Sequence, residues 1–147
     1  MKRQLIFGHL ISLALGLLIY LFFRTSTLKM FDWFGTIGLG NFVVKLRQTT
    51  LPIADILPDW ILFSVPDGMW VFSYVCLMLF IWQNTVSKSN IIWILVIPIL
   101  AICSEIGQLM KIVPGVFDVV DLLTYYCGAI LPFIIYRPIV SLKFRAA

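Results

Sequence analysis

The sequence predicts an all-α integral membrane bundle of four transmembrane helices, with an interfacial or re-entrant segment between the first and the second. Hydrophobic residues make up 61% of the 147 residues and charged residues 12%, where soluble domains carry about 25% charged. Mean hydropathy is +1.02. Apolar runs near transmembrane length alternate with short polar stretches; the second, counted from Pro66, gives roughly 25 Å, slightly short of a hydrocarbon core of about 30 Å. The length suits one domain, with spans expected at about 5–23, 66–82, 91–112 and 118–136.

The first span follows Lys2-Arg3 and closes at Arg24. No small-x-small cleavage site follows its apolar stretch, so it reads as an uncleaved span. Gly8, Ser12 and Gly16 recur every four residues and share one face. Small residues at that spacing let another helix approach closely. His9 lies beside this face, either as a proton-handling group or as a packed histidine.

Residues 24–59 form the longest stretch outside the spans. Phe31, Trp33, Phe34, Phe42 and, just beyond, Trp60 suit a membrane interface, and a short interfacial or re-entrant helix is expected near 41–48. Gly35, Gly38 and Gly40 follow no strand, which argues against a nucleotide loop. Pro66-Asp67-Gly68 interrupts the next apolar run. Proline favours a first helical turn and aspartate a helix N-terminus, so the main helix of the second span is expected to start near Pro66. The segment before it is expected to dip into the membrane or to lie along it. A polar loop at 83–90 leads to the third span, which Pro98 can kink. Val113-Pro114-Gly115-Val116 fits a tight turn into the fourth span, and the tail from Pro138 is basic.

The net charge of +4 comes from eleven Lys and Arg that punctuate the apolar runs. That pattern marks span flanks, and it argues against a nucleic-acid partner. With the N-terminus inside, Lys2, Arg3, Lys88, Arg137, Lys143 and Arg145 face the cytoplasm, against Arg24, Lys29, Lys45, Arg47 and Lys111 outside. This bias, six to five, and the compact Lys88 loop favour both termini inside. Cys76, Cys103 and Cys127 all lie in apolar runs, so neither a disulfide framework nor a zinc site is expected.

Candidate functional residues gather on one side of the membrane. Asp67 falls near the outer end of the second span, Glu105 and Gln108 in the outer third of the third, and Asp118 and Asp121 at the start of the fourth. Residues three apart share a helix face, so Glu105 pairs with Gln108 and Asp118 with Asp121. The Pro-Gly turn makes the last two spans antiparallel neighbours, so the two faces can meet. Tyr125, Gly128 and Pro132 continue the Asp121 face inward. An ionisable group at membrane depth costs about 2.5 kcal/mol or more, so such groups usually face a protein interior. The plainer role for Asp67 and Asp118 is helix capping. Crowded carboxylates call for protonation or for a compensating cation: Lys111, Arg24, Arg47 or a divalent ion.

These residues also carry a resemblance. Ser104-Glu105-x-x-Gln108, then Gly115-x-Phe117-Asp118-x-x-Asp121 and Gly128, is similar to the C-terminal signature of VanZ-like membrane proteins, and Pro66-x-Gly68 resembles the opening of that family's second span. It covers roughly residues 60–136. Tyr125 stands where the family usually has Asn, Asp67 where an apolar residue is commoner, and the Asn-x-x-Pro-Phe pattern after the first span is missing. The resemblance implies a multi-pass protein of the bacterial cytoplasmic (inner) membrane, part of the cell envelope and linked to low-level glycopeptide (teicoplanin) resistance, with no assigned reaction.

Three functional readings follow. The first is a non-enzymatic envelope protein whose outer-facing acidic pocket (Glu105, Gln108, Asp118, Asp121, Asp67, Tyr125) binds a lipid head group, a cation or a partner, with no resident cofactor. The second is a metal-dependent membrane enzyme acting on a lipid-linked phosphate. Asp67-Gly68 with Asp118 and Asp121 resembles the metal site of CDP-alcohol phosphotransferases, although Ala-Arg is missing after Asp-Gly and the last two aspartates are three apart rather than four. The third is an accessory subunit that meets a membrane-protein partner, or a second copy, through Gly8, Ser12 and Gly16.

Overall fold

In the computed structural model, which describes residues 2–24, 28–54 and 56–141, each apolar run is helical. The helices are α1 (Lys2–Phe23), α2 (Lys29–Thr36), α3 (Gly40–Ala54), α4 (Asp59–Ile81), α5 (Ile91–Leu109) and α6 (Val119–Tyr136). In hydrocarbon the backbone must satisfy its own hydrogen bonds, and a helix does so within one segment. α1, α4, α5 and α6 are long and apolar enough to cross a membrane, which marks a multi-pass membrane protein. Phe7, Ile11, Ile92, Trp93 and Ile134 are exposed on the outside of the bundle, as a lipid-facing surface requires.

α4 is the central helix. α1 and α6 pack along it, and α5 leans on both α4 and α6. Gly16 of α1 lies so close to α4 that a Cβ there would stand 2.7 Å from Trp70 Nε1 and 3.3 Å from the Pro66 carbonyl oxygen. Between α4 and α6 the backbones themselves meet. A Cβ on Gly128 would collide with the carbonyl oxygen of Gly68, and one on Gly68 would lie 2.7 Å from Thr124 Cβ. At the end of the bundle that holds the N-terminus, Leu5, Val75, Leu79, Val86 and Ile94 form the apolar core, with Phe133 and Tyr136 packed against it.

The second span starts earlier than expected. α4 begins at Asp59, with Pro58 as its N-cap, and Pro66 lies buried inside the helix. Residues 59–65 are therefore continuous with the span and do not form a separate dip. Proline in a helix removes one backbone donor. The carbonyl left without its helical donor is that of Leu62, four residues earlier, while Thr124 Oγ1 of α6 donates to the Ser64 carbonyl in the same turn, at 3.1 Å. The 23 residues of α4 span roughly 35 Å, enough to cross the hydrocarbon core.

The third span ends earlier than expected, at Leu109. Lys111 turns left-handed (φ 58). Its N–H donates to the Gln108 carbonyl and that of Ile112 to the Gly107 carbonyl, both at 2.9 Å. This is a Schellman ending, built without the usual glycine. α4 stops in the same way at Gln83 (φ 54), and α2 does so at Gly38 (φ 79). Gly38 is thus a helix terminator. The helix expected near 41–48 is α3, and a further short helix, α2, precedes it on the other side of Gly38.

The polar loop after α4 contains a short strand, β1 (Thr85–Ser87), which pairs in parallel with β2 (Ile139–Ser141) in the tail. Asn84 fastens the junction. Its Nδ2 donates to the Tyr136 carbonyl at 2.9 Å, and its own carbonyl accepts from Ile139 N at 2.9 Å. Lys143 and Arg145 of the basic tail lie outside the described residues.

The backbone contact makes Gly128→Ala destabilising by about 1–3 kcal/mol. Gly35→Ala, which meets nothing within 4 Å, should change the thermal midpoint in detergent far less. For orientation, Val116 and Ser89 are exposed at opposite ends of α5. With the three native cysteines replaced by alanine, an impermeant thiol reagent added outside should label Val116→Cys and spare Ser89→Cys. The opposite pattern reverses the orientation.

Candidate functional site

The α5–α6 turn brings the third and fourth spans together. Asp118 has extended backbone (φ −127, ψ 122) and caps α6, its Oδ1 accepting from Val120 N at 2.8 Å. Its own N–H donates to Glu105 Oε2 at 3.3 Å. Glu105 is only 3% exposed. It sits four residues before the end of α5, roughly 6 Å below it along the axis. A carboxylate deep in the bundle thus draws one hydrogen bond from the backbone at the start of the next helix.

One turn into α6, Asp121 Oδ1 is buried without a donor. Such an acceptor costs about 1–3 kcal/mol. Thr124 Oγ1 bridges the Asp121 and Ser64 carbonyls, at 2.9 and 3.1 Å. Asp67 stands beside Gly68, where α4 crosses α6. Asp67, Glu105, Asp121 and Tyr125 lie within electrostatic range of one another, and Arg24 reaches both Asp67 and Tyr125 in the same way. The structure therefore brings together four of the six pocket residues read from the sequence. Asp118 joins through its backbone while its side chain caps α6. Gln108 stands apart, with its amide group packed against Gly115.

Arg24 is one of the three basic residues that the sequence offered as a compensating cation. Its guanidinium lies 5.0 Å from the ring centres of both Tyr20 and Phe63, and Tyr20 packs on Trp70 at 5.1 Å. Arg24 Nε and Trp70 Nε1 are buried without partners. Arg47 of α3 holds the backbone beneath. A helix C-terminus leaves carbonyls without donors, and Arg47 donates to those of Leu21 at 2.6 Å and Arg24 at 2.5 Å. Its guanidinium also stacks 4.5 Å from the Phe31 ring centre. Burial pushes the Arg47 pKa below its ordinary value, and the helix end offsets this by favouring a cation. The only sequence sign of this role was a basic residue amid apolar ones on a short helix.

Gly8, Ser12 and Gly16 face the inside of the chain's own bundle. Gly16 meets Trp70 and Pro66 of α4, and Gly8 faces Tyr136 of α6 and Cys76 of α4. Ser12 is buried and donates to the Gly8 carbonyl at 2.7 Å. The expected route for an external helix along this face is therefore largely occupied by α4. His9 packs at the same seam, its Nδ1 2.7 Å from Ser73 Oγ. Among the described residues, no group of three or more His, Cys, Asp or Glu side chains is arranged to hold a metal ion. Set against family models, curated proteins and solved structures, the chain matches none.

Because lysine lacks the fork that reaches two carbonyls at once, Arg47→Lys should destabilise the protein by about 1–3 kcal/mol. Thermal unfolding in detergent measures this. An unchanged midpoint would remove Arg47 as the cap of α1.

Proposed function

We propose that the protein is a VanZ-like, non-enzymatic membrane protein of the bacterial cell envelope, and that its outward-facing acidic site binds a cationic group at the membrane surface. The buried, donorless Asp121 Oδ1, with Asp67 and Glu105 in electrostatic range, carries this reading. Three carboxylates against one guanidinium leave a surplus of negative charge when all are ionised. A ligand cation supplies the donor that Asp121 lacks and balances the surplus. Between a free cation, a partner's basic side chain and a lipid amine, the lipid amine suits a site set just inside the end of a membrane helix. Teicoplanin resistance is the context that the family resemblance suggests.

Phosphatidylethanolamine titrated into purified protein, read by native mass spectrometry, tests the site. Asp121→Asn and Glu105→Gln should each weaken binding by about tenfold, equivalent to 1.4 kcal/mol. The double variant should be little worse than either, because residues acting as one unit are not additive. Equal binding by wild type and both variants, with all three folded, refutes the reading. In cells, Glu105→Gln should lose any teicoplanin protection given by the wild type while accumulating to the same level.

A further inference from the structure

A groove of about 370 Å³ runs along the lipid-facing side of the bundle, away from the acidic site. Its walls are α1 and α4, with Met69 and Phe72 of α4 along it, and α6 contributes Tyr136. Gly8 and Ser12 keep its α1 wall low, Phe7 and Leu15 flank it, and Gln4 and Tyr136 stand at its mouth. From Gln4 to Leu15 the helix rises roughly 16 Å, about half of a 30 Å hydrocarbon core. The groove therefore has the depth of one leaflet.

The charges at its mouth indicate the head group. Lys2 and Arg3 precede Gln4, Arg137 follows Tyr136, and all three are exposed. Among the described residues this end of the bundle also carries Lys88 and has no Asp or Glu. The described carboxylates (Asp32, Asp59, Asp67, Glu105, Asp118 and Asp121) all lie toward the other end. Basic residues at a membrane surface attract anionic lipids.

We infer that this groove is a site for one anionic phospholipid of the leaflet at the N-terminal end, its acyl chain lying along α1 and α4 beside Tyr136 and its phosphate held at Lys2, Arg3 and Arg137. The inference does not rest on the acidic site, which sits at the opposite end and favours a cation.

Delipidated full-length protein, titrated separately with phosphatidylglycerol and phosphatidylcholine of the same acyl chains and read by native mass spectrometry, tests it. Wild type should bind one phosphatidylglycerol per chain first, about tenfold tighter than phosphatidylcholine. Ile11→Trp, at an exposed position lining the groove, should remove that first binding step for both lipids. Lys2→Gln with Arg3→Gln should abolish the preference and leave phosphatidylcholine binding unchanged. Both substitutions are on the lipid- or water-facing surface, and an unchanged thermal midpoint confirms folding. Undiminished first-step binding in Ile11→Trp, equal wild-type affinity for the two lipids, or a dimer that Ile11→Trp dissociates would each overturn the inference.

Discussion

The contact between the Gly68 and Gly128 backbones sets the geometry of the bundle. No side chain separates α4 from α6 at that point, so the two helices cross at a distance that larger residues forbid. In lipid, no hydrophobic force drives helices together, and close packing with local hydrogen bonds must do so. Thr124 supplies the bond, reaching the Ser64 carbonyl from beside the crossing. Asp67 precedes Gly68 and Asp121 precedes Thr124, so the crossing also sets two carboxylates near each other. The acidic site is in this sense a by-product of where the helices touch.

The two ends of the molecule treat charge differently. At the acidic end the polar groups are drawn inward. Glu105 receives a backbone N–H, and Arg47 and Arg24 are shielded by aromatic rings while Arg47 completes the end of α1. At the N-terminal end Lys2, Arg3 and Arg137 stay exposed, and the interior is apolar around Leu5, Leu79 and Ile94. Burying charge is costly. The protein bears that cost at one end only, where function is proposed to lie.

The spans were legible because hydrophobic length is a strong signal over 18 or more residues. The start of the second span and the end of the third were not. Pro66 reads as a helix start by local preference, yet it lies inside α4, buried where α1 packs close against its carbonyl. Lys111 takes a left-handed conformation that sequence preference assigns to glycine or asparagine, so the end of α5 was read three residues late. Gly38 carried the right signal for the end of α2. Of the candidate site, helical spacing and the Pro-Gly turn sufficed to place Glu105, Asp121, Asp67 and Tyr125 together. Arg24 was among the compensating cations named from the sequence, and it stands beside Asp67 and Tyr125; the role of Arg47 at the end of α1 was not legible, because a basic residue beside an apolar run has an ordinary explanation in membrane topology. The parallel pairing of two three-residue strands more than fifty positions apart has no local signature at all.

That small ladder bears on the order in which the molecule is completed. β1 follows α4, whereas β2 comes only after α6 has been made. During synthesis the turn between the second and third spans must wait, with the Asn84 amide lacking the Tyr136 carbonyl and the Asn84 carbonyl lacking Ile139 N. The stretch that follows α6 closes both bonds at once. Until that stretch has followed α6, the turn between the second and third spans lacks its latch.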